Sequence, residues 1–261
     1  MLTFKNNRFE LIQPKTQSTT IVLLNWNSLD LLKHCLDLIK KNTSLPYSII
    51  IVDNGSVDDS VEYLSKSKYQ TVLLDENTGF SKGMNTGISK SNKIDNIILM
   101  NVDAEPQLGW LEEMYNTYNK FHNVGLIGPL GNNIPSQYQS LEFVKQDAQV
   151  MILMFYCVFI SRELINKIGL LDERYGLGGY EDNDFSYRSI LAGFKNYISA
   201  KSIVLHEPHQ VTKLNGLPDD LFKRNESVFH EKFHSILTNI ALNQNLFVGD
   251  FAYKTGLKIT P

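Results

Sequence analysis

Residues 49–56 read IIIVDNGS: four apolar residues without polar alternation, stopping abruptly in Asp53-Asn54-Gly55-Ser56. Alternation would mark a strand with one wet face. Its absence marks a strand covered on both sides, as in a parallel sheet between helices. The pattern recurs outward from this stretch. TIVLL at 20–24 ends in Asn25-Trp26-Asn27, VLL at 72–74 is followed closely by Asn77-Thr78-Gly79-Phe80, and IILM at 97–100 ends in Asn101-Val102-Asp103. Between these runs lie helical patterns: Leu31, Cys35, Leu38 and Ile39, then residues 57–65 and 83–91. Strands alternating with helices predict an α/β fold with a mostly parallel central sheet flanked by helices. Ligands of such sheets bind at the carboxyl ends of the strands, so four polar clusters should converge on one crevice.

The second half is less regular. Residues 124–127 and 150–160 are strand candidates, and 162–168 predict a short helix ended by Gly169. The stretch Gly176-Leu177-Gly178-Gly179-Tyr180 leads into Glu181-Asp182-Asn183-Asp184 and a helix over 185–192, and the strand 203–205 ends in His206. Residues 221–242 have helical apolar spacing. One domain is expected over residues 1–261, with an extension at 1–19, a Rossmann-like nucleotide-binding half at 20–105, an acceptor-side catalytic half at 106–210 and a helical segment at 211–261.

Composition bounds the function. The chain is 43% hydrophobic and 20% charged, with a formal net charge of -3. No basic run offers a footprint for phosphates, so no nucleic-acid partner is expected. Cys35 and Cys157 cannot form a disulfide framework and read as small core residues in a reducing, cytoplasmic compartment. The N-terminal stretch is polar, without an apolar signal region. The longest apolar run, 150–160, is about half the ~20 residues of a membrane-spanning helix and reads as a buried strand.

Several residues could carry chemistry. Asp103 at a strand end, with Asn101 before it and Glu105 after it, suits a hard cation shared with a diphosphate. The same residues, with Pro106, also make turns. Glu181, Asp182 and Asp184 crowd three carboxylates into four residues, which raises at least one pKa and suits a general base. They equally fit the first turn of a helix. His206, with His209 beyond it, is either a metal ligand or a structural histidine. Gly79, Gly83 and Gly87 recur every four residues, a spacing that can simply mean close helix packing. No Walker loop, nucleophile elbow or zinc spacing is present in the sequence.

In order, NWN, IIVDNGSVDDS, ENTGFSKGMNTGI, ILMNVDAEP, GGYEDNDFSYR and IVLHE resemble the family 2 glycosyltransferases, inverting enzymes of the GT-A fold. Arg224-Asn225 and Lys232-Phe233 echo the same pattern, and the 77–87 stretch is similar to rhamnosyltransferase-like members. The resemblance implies a nucleotide pocket from Asn25, Trp26 and Asp53, with Asn77, Gly79, Lys82, Asn85 and Asn101 around the donor. It implies a divalent cation (Mn2+ or Mg2+) on Asp103 and His206, with Glu105 a candidate for the carboxylate absent at Asn101. Asp182, beside Glu181, matches the catalytic base.

The implied activity is that of an inverting hexosyltransferase in polysaccharide or glycan synthesis. It would move a sugar from a UDP- or dTDP-linked donor to a glycan or lipid-linked acceptor, with peripheral association at the inner face of a membrane. The alternative is a nucleotide-sugar-binding or scaffold protein without turnover, against which Asp103 and Asp182 both stand. A nucleotidyltransferase would carry a Gly-rich basic loop where this chain has NWNSLD.

Overall fold

The computed structural model describes residues 2–5, 8–11, 18–132, 134, 137–206 and 220–243. A hairpin of β1 (Leu2–Lys5) and β2 (Arg8–Leu11) precedes the main sheet. The first half then runs β3 (Thr19–Asn25), α1 (Leu29–Asn42), β4 (Ser48–Asn54), α2 (Ser60–Ser65), β5 (Gln70–Leu74), α3 (Phe80–Lys90), β6 (Asn96–Asn101) and β7 (Ala104–Pro106). The second half runs α4 (Trp110–Lys120), β8 (Val124–Leu130), β9 (Ala148–Val150), β10 (Cys157–Ile160), α5 (Arg162–Ile168), α6 (Glu181–Leu191), β11 (Lys195–His206) and α7 (Leu221–Asn243).

Nine strands form one sheet in the order β5-β4-β3-β6-β10-β8-β11-β7, with β9 on β11. Pairing is parallel across β5, β4, β3 and β6 and between β8 and β11. Strand β10 runs antiparallel to both of its neighbours, as do β7 and β9 to β11. Both faces are dry, which is why the strands lack polar alternation. Ile21, Leu23, Ile51, Ile98 and Met100 pack with α1 and α4 on one face. Their neighbours Val22, Ile50, Val52, Ile97 and Leu99 pack with α3, α5 and α6 on the other.

The apolar run at 150–160 is not one strand. Strand β9 ends at Val150 and β10 starts at Cys157. Between them the backbone N–H of Leu153 donates to Ser186 Oγ and that of Met154 to Gln139 Oε1. Side chains thus take the ladder donors while the chain crosses from β11 to a new position between β6 and β8. The helix expected at 57–65 begins only at Ser60. Val57 N–H is taken by Asn27 Oδ1, and Asp58 holds the N–H groups of Leu29 and Ser60. Helix α4 and the β1–β2 hairpin lie outside the sequence-based expectations. His209 and residues 211–219 lie outside the described residues. Among those described, no helix is long and apolar enough to cross a membrane.

The glycine repeat in α3 is a packing device. A Cβ on Gly87 would stand 2.3 Å from Val22 Cγ1, and one on Gly83 2.4 Å from Leu24 Cδ1. Valine is stiff and cannot yield, whereas a leucine tip can rotate. Gly87→Ala is therefore expected to lower stability by about 1–3 kcal/mol through overpacking, despite alanine's helix preference. Gly83→Ala should be close to neutral. Urea denaturation of the two variants decides it.

Candidate active site

The carboxyl ends of β3 and β4 are tied by one buried carboxylate. Asp53 Oδ2 accepts from Asn25 Nδ2 at 2.9 Å and from Ser56 Oγ at 2.8 Å, while Oδ1 accepts from Ser56 N at 2.9 Å. Asn27, at φ 48°, donates its N–H to Ser56 Oγ at 2.8 Å and closes the link. Asp53 and Asn25 are both fully buried, and Trp26 beside them is half-buried.

Next to this pair, Asn54 shapes the loop before α3. Its Nδ2 donates to Asn77 Oδ1 at 2.8 Å and to the Gly79 carbonyl at 3.3 Å. Its Oδ1 accepts from Thr78 N and Thr78 Oγ1. Gly79 (φ 86°) caps α3 and touches the second half of the chain: a Cβ there would lie 2.0 Å from the Gly176 carbonyl oxygen. Phe80 N–H donates to the Leu177 carbonyl at 3.3 Å. The loops at 77–80 and 176–179 therefore sit against each other.

Lys82 is exposed on α3. Asn85 is buried and committed to the second half. It pairs with the Leu171 backbone in both directions, donating to its carbonyl and accepting from its N–H, and donates to Glu173 Oε1 at 2.9 Å.

Asp103 and His206 are brought together by the antiparallel pairing of β7 and β11, which sets Ala104 opposite His206. Asp103 Oδ1 and His206 Nε2 lie 3.3 Å apart. Both atoms are buried, and neither has a hydrogen-bond partner. The imidazole is held by stacking on Tyr156, at 4.9 Å and 21° between rings, and by Asn132 Oδ1, which accepts its backbone N–H. A carboxylate and an imidazole held 3.3 Å apart out of water form an ion pair when the imidazole is protonated, and the same two atoms suit a shared cation. Glu105 is not gathered here: its carboxylate lies 3.5 Å from His34 of α1. Asn101 ends β6, its N–H donating to the Tyr156 carbonyl. Among the described residues no three acidic, histidine or cysteine side chains cluster as a complete metal site.

Opposite these strand ends, the Gly-rich loop feeds α6. Gly176, Gly178, Gly179 and Tyr180 all have positive φ, from 62° to 144°. The strained turn delivers Glu181, Asp182 and Asp184 into the first turn of α6. They have three different fates. Asp184 is fully buried and saturated by Tyr175 Oη, Arg188 Nε and Lys232 Nζ. Asp182 is half-buried and accepts the Asn183 N–H at 2.7 Å. Glu181 is buried, and its Oε2 has no partner. Burial first, then the charge of Asp182, pushes its pKa up to about 8 against the N–H groups of Glu181 and Gly179.

The residues that sequence reasoning missed are those that bind backbone. Ser56 and Asn54 lay inside a quoted motif, Tyr156 inside the apolar run. Asn225 had only its place in an ordered pattern to mark it.

This geometry belongs to a sugar-transferring class of α/β protein. Residues 20–169 match the model of "Glycosyl transferase family 2", and the chain belongs to that family. It is 25% identical to the O-antigen chain rhamnosyltransferase RfbN of Salmonella typhimurium over 233 residues, covering 81% of this chain and 72% of the relative. It is 21% identical to the N-acetylglucosaminyl-diphospho-decaprenol L-rhamnosyltransferase of Mycobacterium tuberculosis, covering 64% and 69%. Among solved structures, Staphylococcus aureus TarS 1-349 superposes with TM-score 0.60 at 17% identity, over 91% of this chain and 69% of that one. GalNAc-T7 with UDP, GalNAc and Mn2+ superposes with TM-score 0.61 at 16% identity, over 72% of this chain and 43% of that one. The fold is GT-A.

The Glu181 carboxyl generates a pH signature. Its pKa of about 8 in the folded chain lies above the ordinary 4.5. Below the ordinary value it is protonated in both states and its contribution to stability is intact. As pH rises through the folded value the unfolded chain ionises more readily, so that contribution is lost. Glu181→Gln should flatten this decline, seen as urea midpoints measured from about pH 4.5 to about 8.

Proposed function

We propose that the chain is an inverting glycosyltransferase that moves a hexose, in the manner of a rhamnosyltransferase, from a UDP- or dTDP-linked donor to an acceptor hydroxyl on a glycan or lipid-linked glycan. The observation that carries this reading is the buried pair of Asp103 Oδ1 and His206 Nε2, 3.3 Å apart and without a hydrogen bond, at a strand end of a GT-A sheet.

In this reading the β3 and β4 ends, with Asn25, Trp26 and Asp53, form the wall of the nucleotide pocket. Their mutual hydrogen bonds hold that wall before donor arrives, so little ordering remains to oppose binding. The 77–80 loop, with Lys82 one turn further along α3 and Asn101 at the end of β6, borders the donor. Asp103 and His206 would hold a divalent cation, Mn2+ or Mg2+, of the kind that binds diphosphates. When bound, that ion neutralises charge on the departing diphosphate.

Asp182 accepts the proton of the acceptor hydroxyl as the oxygen attacks the anomeric carbon from the face opposite the nucleotide. One displacement without a covalent enzyme intermediate inverts the anomeric configuration. Glu181 lies buried beside Asp182, and burial, then that neighbouring charge, raises its pKa.

Thermal shift against UDP, dTDP, GDP and CDP, with and without Mn2+, tests the donor site. One diphosphate should raise the midpoint only with the cation, by an amount equivalent to about 2.7 kcal/mol at a hundredfold excess over Kd. Asp103→Asn should lose that shift. Asp182→Asn should keep it while transfer falls roughly 100- to 10,000-fold. No shift with any nucleotide rejects the donor-site reading, and full turnover in Asp182→Asn removes that residue as the base.

A further inference from the structure

The first turns of helix α7 are spent on the loop that leads into Asp182. Asn225 is fully buried, and its Nδ2 donates to the carbonyls of Tyr175 at 2.7 Å, Gly178 at 2.9 Å and Gly179 at 2.9 Å. Two N–H bonds thus serve three carbonyls from a loop whose residues 176 and 178–180 all have positive φ. One turn earlier, Phe222 covers Gly179, where a Cβ would meet its ring at 2.9 Å. The neighbouring Arg224 donates to the Arg174 carbonyl at 2.9 Å.

Two turns later, Lys232 bridges Asp172, ahead of the loop, and Asp184, beyond it. Phe229 and Phe233 close the arrangement by packing on Tyr175 and Tyr187. Every segment from 172 to 187 that frames the loop is thereby fastened to one helix. The glycines adopt positive φ freely, but Tyr180 at φ 73° costs backbone strain and persists there only where its surroundings over-determine it. The contacts from α7 supply that determination.

We infer that α7 is the positioning element of the catalytic loop, with Asn225 setting the course of the loop backbone and Lys232 locking α6 to the segment before it, so that Asp182 is held where it can take the acceptor proton. This rests on the assignment of Asp182 as base. Neither residue is a catalytic residue; each acts through the loop. Lys232 suits the task because a compact cation can satisfy two carboxylates at once, one of them the fully buried Asp184. Without it, Asp184 would keep only Arg188 as a cationic partner, and the register between α6 and the loop would loosen.

Amide hydrogen exchange on the unmodified protein tests the mechanical half without needing activity. The amides of 176–184 should open with the same free energy as those of 221–233, and Lys232→Met should lower both together. Independent exchange of the loop overturns the inference. The kinetic half uses Lys232→Met and Asn225→Ala. A misplaced base should cost on the order of 100-fold in kcat, with KM for the sugar nucleotide unchanged.

Unaltered kcat in folded Lys232→Met, with active parent enzyme, overturns the positioning role. A parallel rise in KM for the donor also overturns it, since that marks general collapse of the site. A parent enzyme without transfer activity strikes the functional reading instead, while the exchange data still decide whether α7 and the loop form one unit.

Discussion

The site depends on a contact that only glycine permits. At Gly79 the backbone approaches the Gly176 carbonyl so closely that a Cβ would lie 2.0 Å from its oxygen. That approach joins the helix that follows β5 to the loop that precedes α6, segments almost a hundred residues apart in the chain. Asn54 shapes the approach from one side, through Asn77, Thr78 and Gly79. Asn85 reinforces it from below by pairing with the Leu171 backbone and Glu173. The loops at 77–80 and 176–179 thus occupy fixed relative positions because several side-chain amides each replace a missing backbone partner.

Buried carboxylates sort the structure into scaffold and site. Asp53 accepts three hydrogen bonds, and Asp95 accepts from the Ser18 and Thr20 hydroxyls. Asp184 meets a tyrosine, an arginine and a lysine. Such groups are fully provided for and rigidify their surroundings. Asp103 and Glu181 differ, since each keeps a buried oxygen that makes no hydrogen bond, as Glu112 also does. A buried oxygen left alone costs about 1–3 kcal/mol, and folding tolerates that where something else gains from it. One of the two lies 3.3 Å from the His206 imidazole, and the other lies directly beside Asp182 in the first turn of α6.

The parallel half was legible because its signal is local. An apolar run without alternation and a polar stop lie within eight residues, and β3, β4, β5 and β6 follow those readings closely. Helix α5, with Ser161 as its side-chain cap and Gly169 beyond it, was equally legible. Failures arose where partners change. The run at 150–160 is uniformly apolar, yet Ser186 and Gln139 divert its middle from the ladder, and both lie well away in sequence. Helix α4 did carry a readable stripe, with Trp110, Leu111, Met114, Tyr115 and Tyr118 all buried. The expectations passed it over after the turn at Pro106. Asn225 could not be read locally at all, since its role exists only against three carbonyls some fifty residues upstream.

The pairing of Asp103 with His206 shows the same limit from the side of the sheet. Strand β11 begins beside β8 and β9, slips register between Ser199 and Ile203, and finishes against β7. Residues 200–202 fall between Ser199, opposite Pro129, and Ile203, opposite Leu130, before the strand meets β7. Its last residue, His206, is thereby set against β7, the short strand that follows Asp103. A histidine at a strand end has no meaning by itself, and neither does an aspartate after Asn-Val. The change of partner along one strand makes them neighbours. The chemistry of the site is therefore written in the topology of β11 as much as in the identity of either residue.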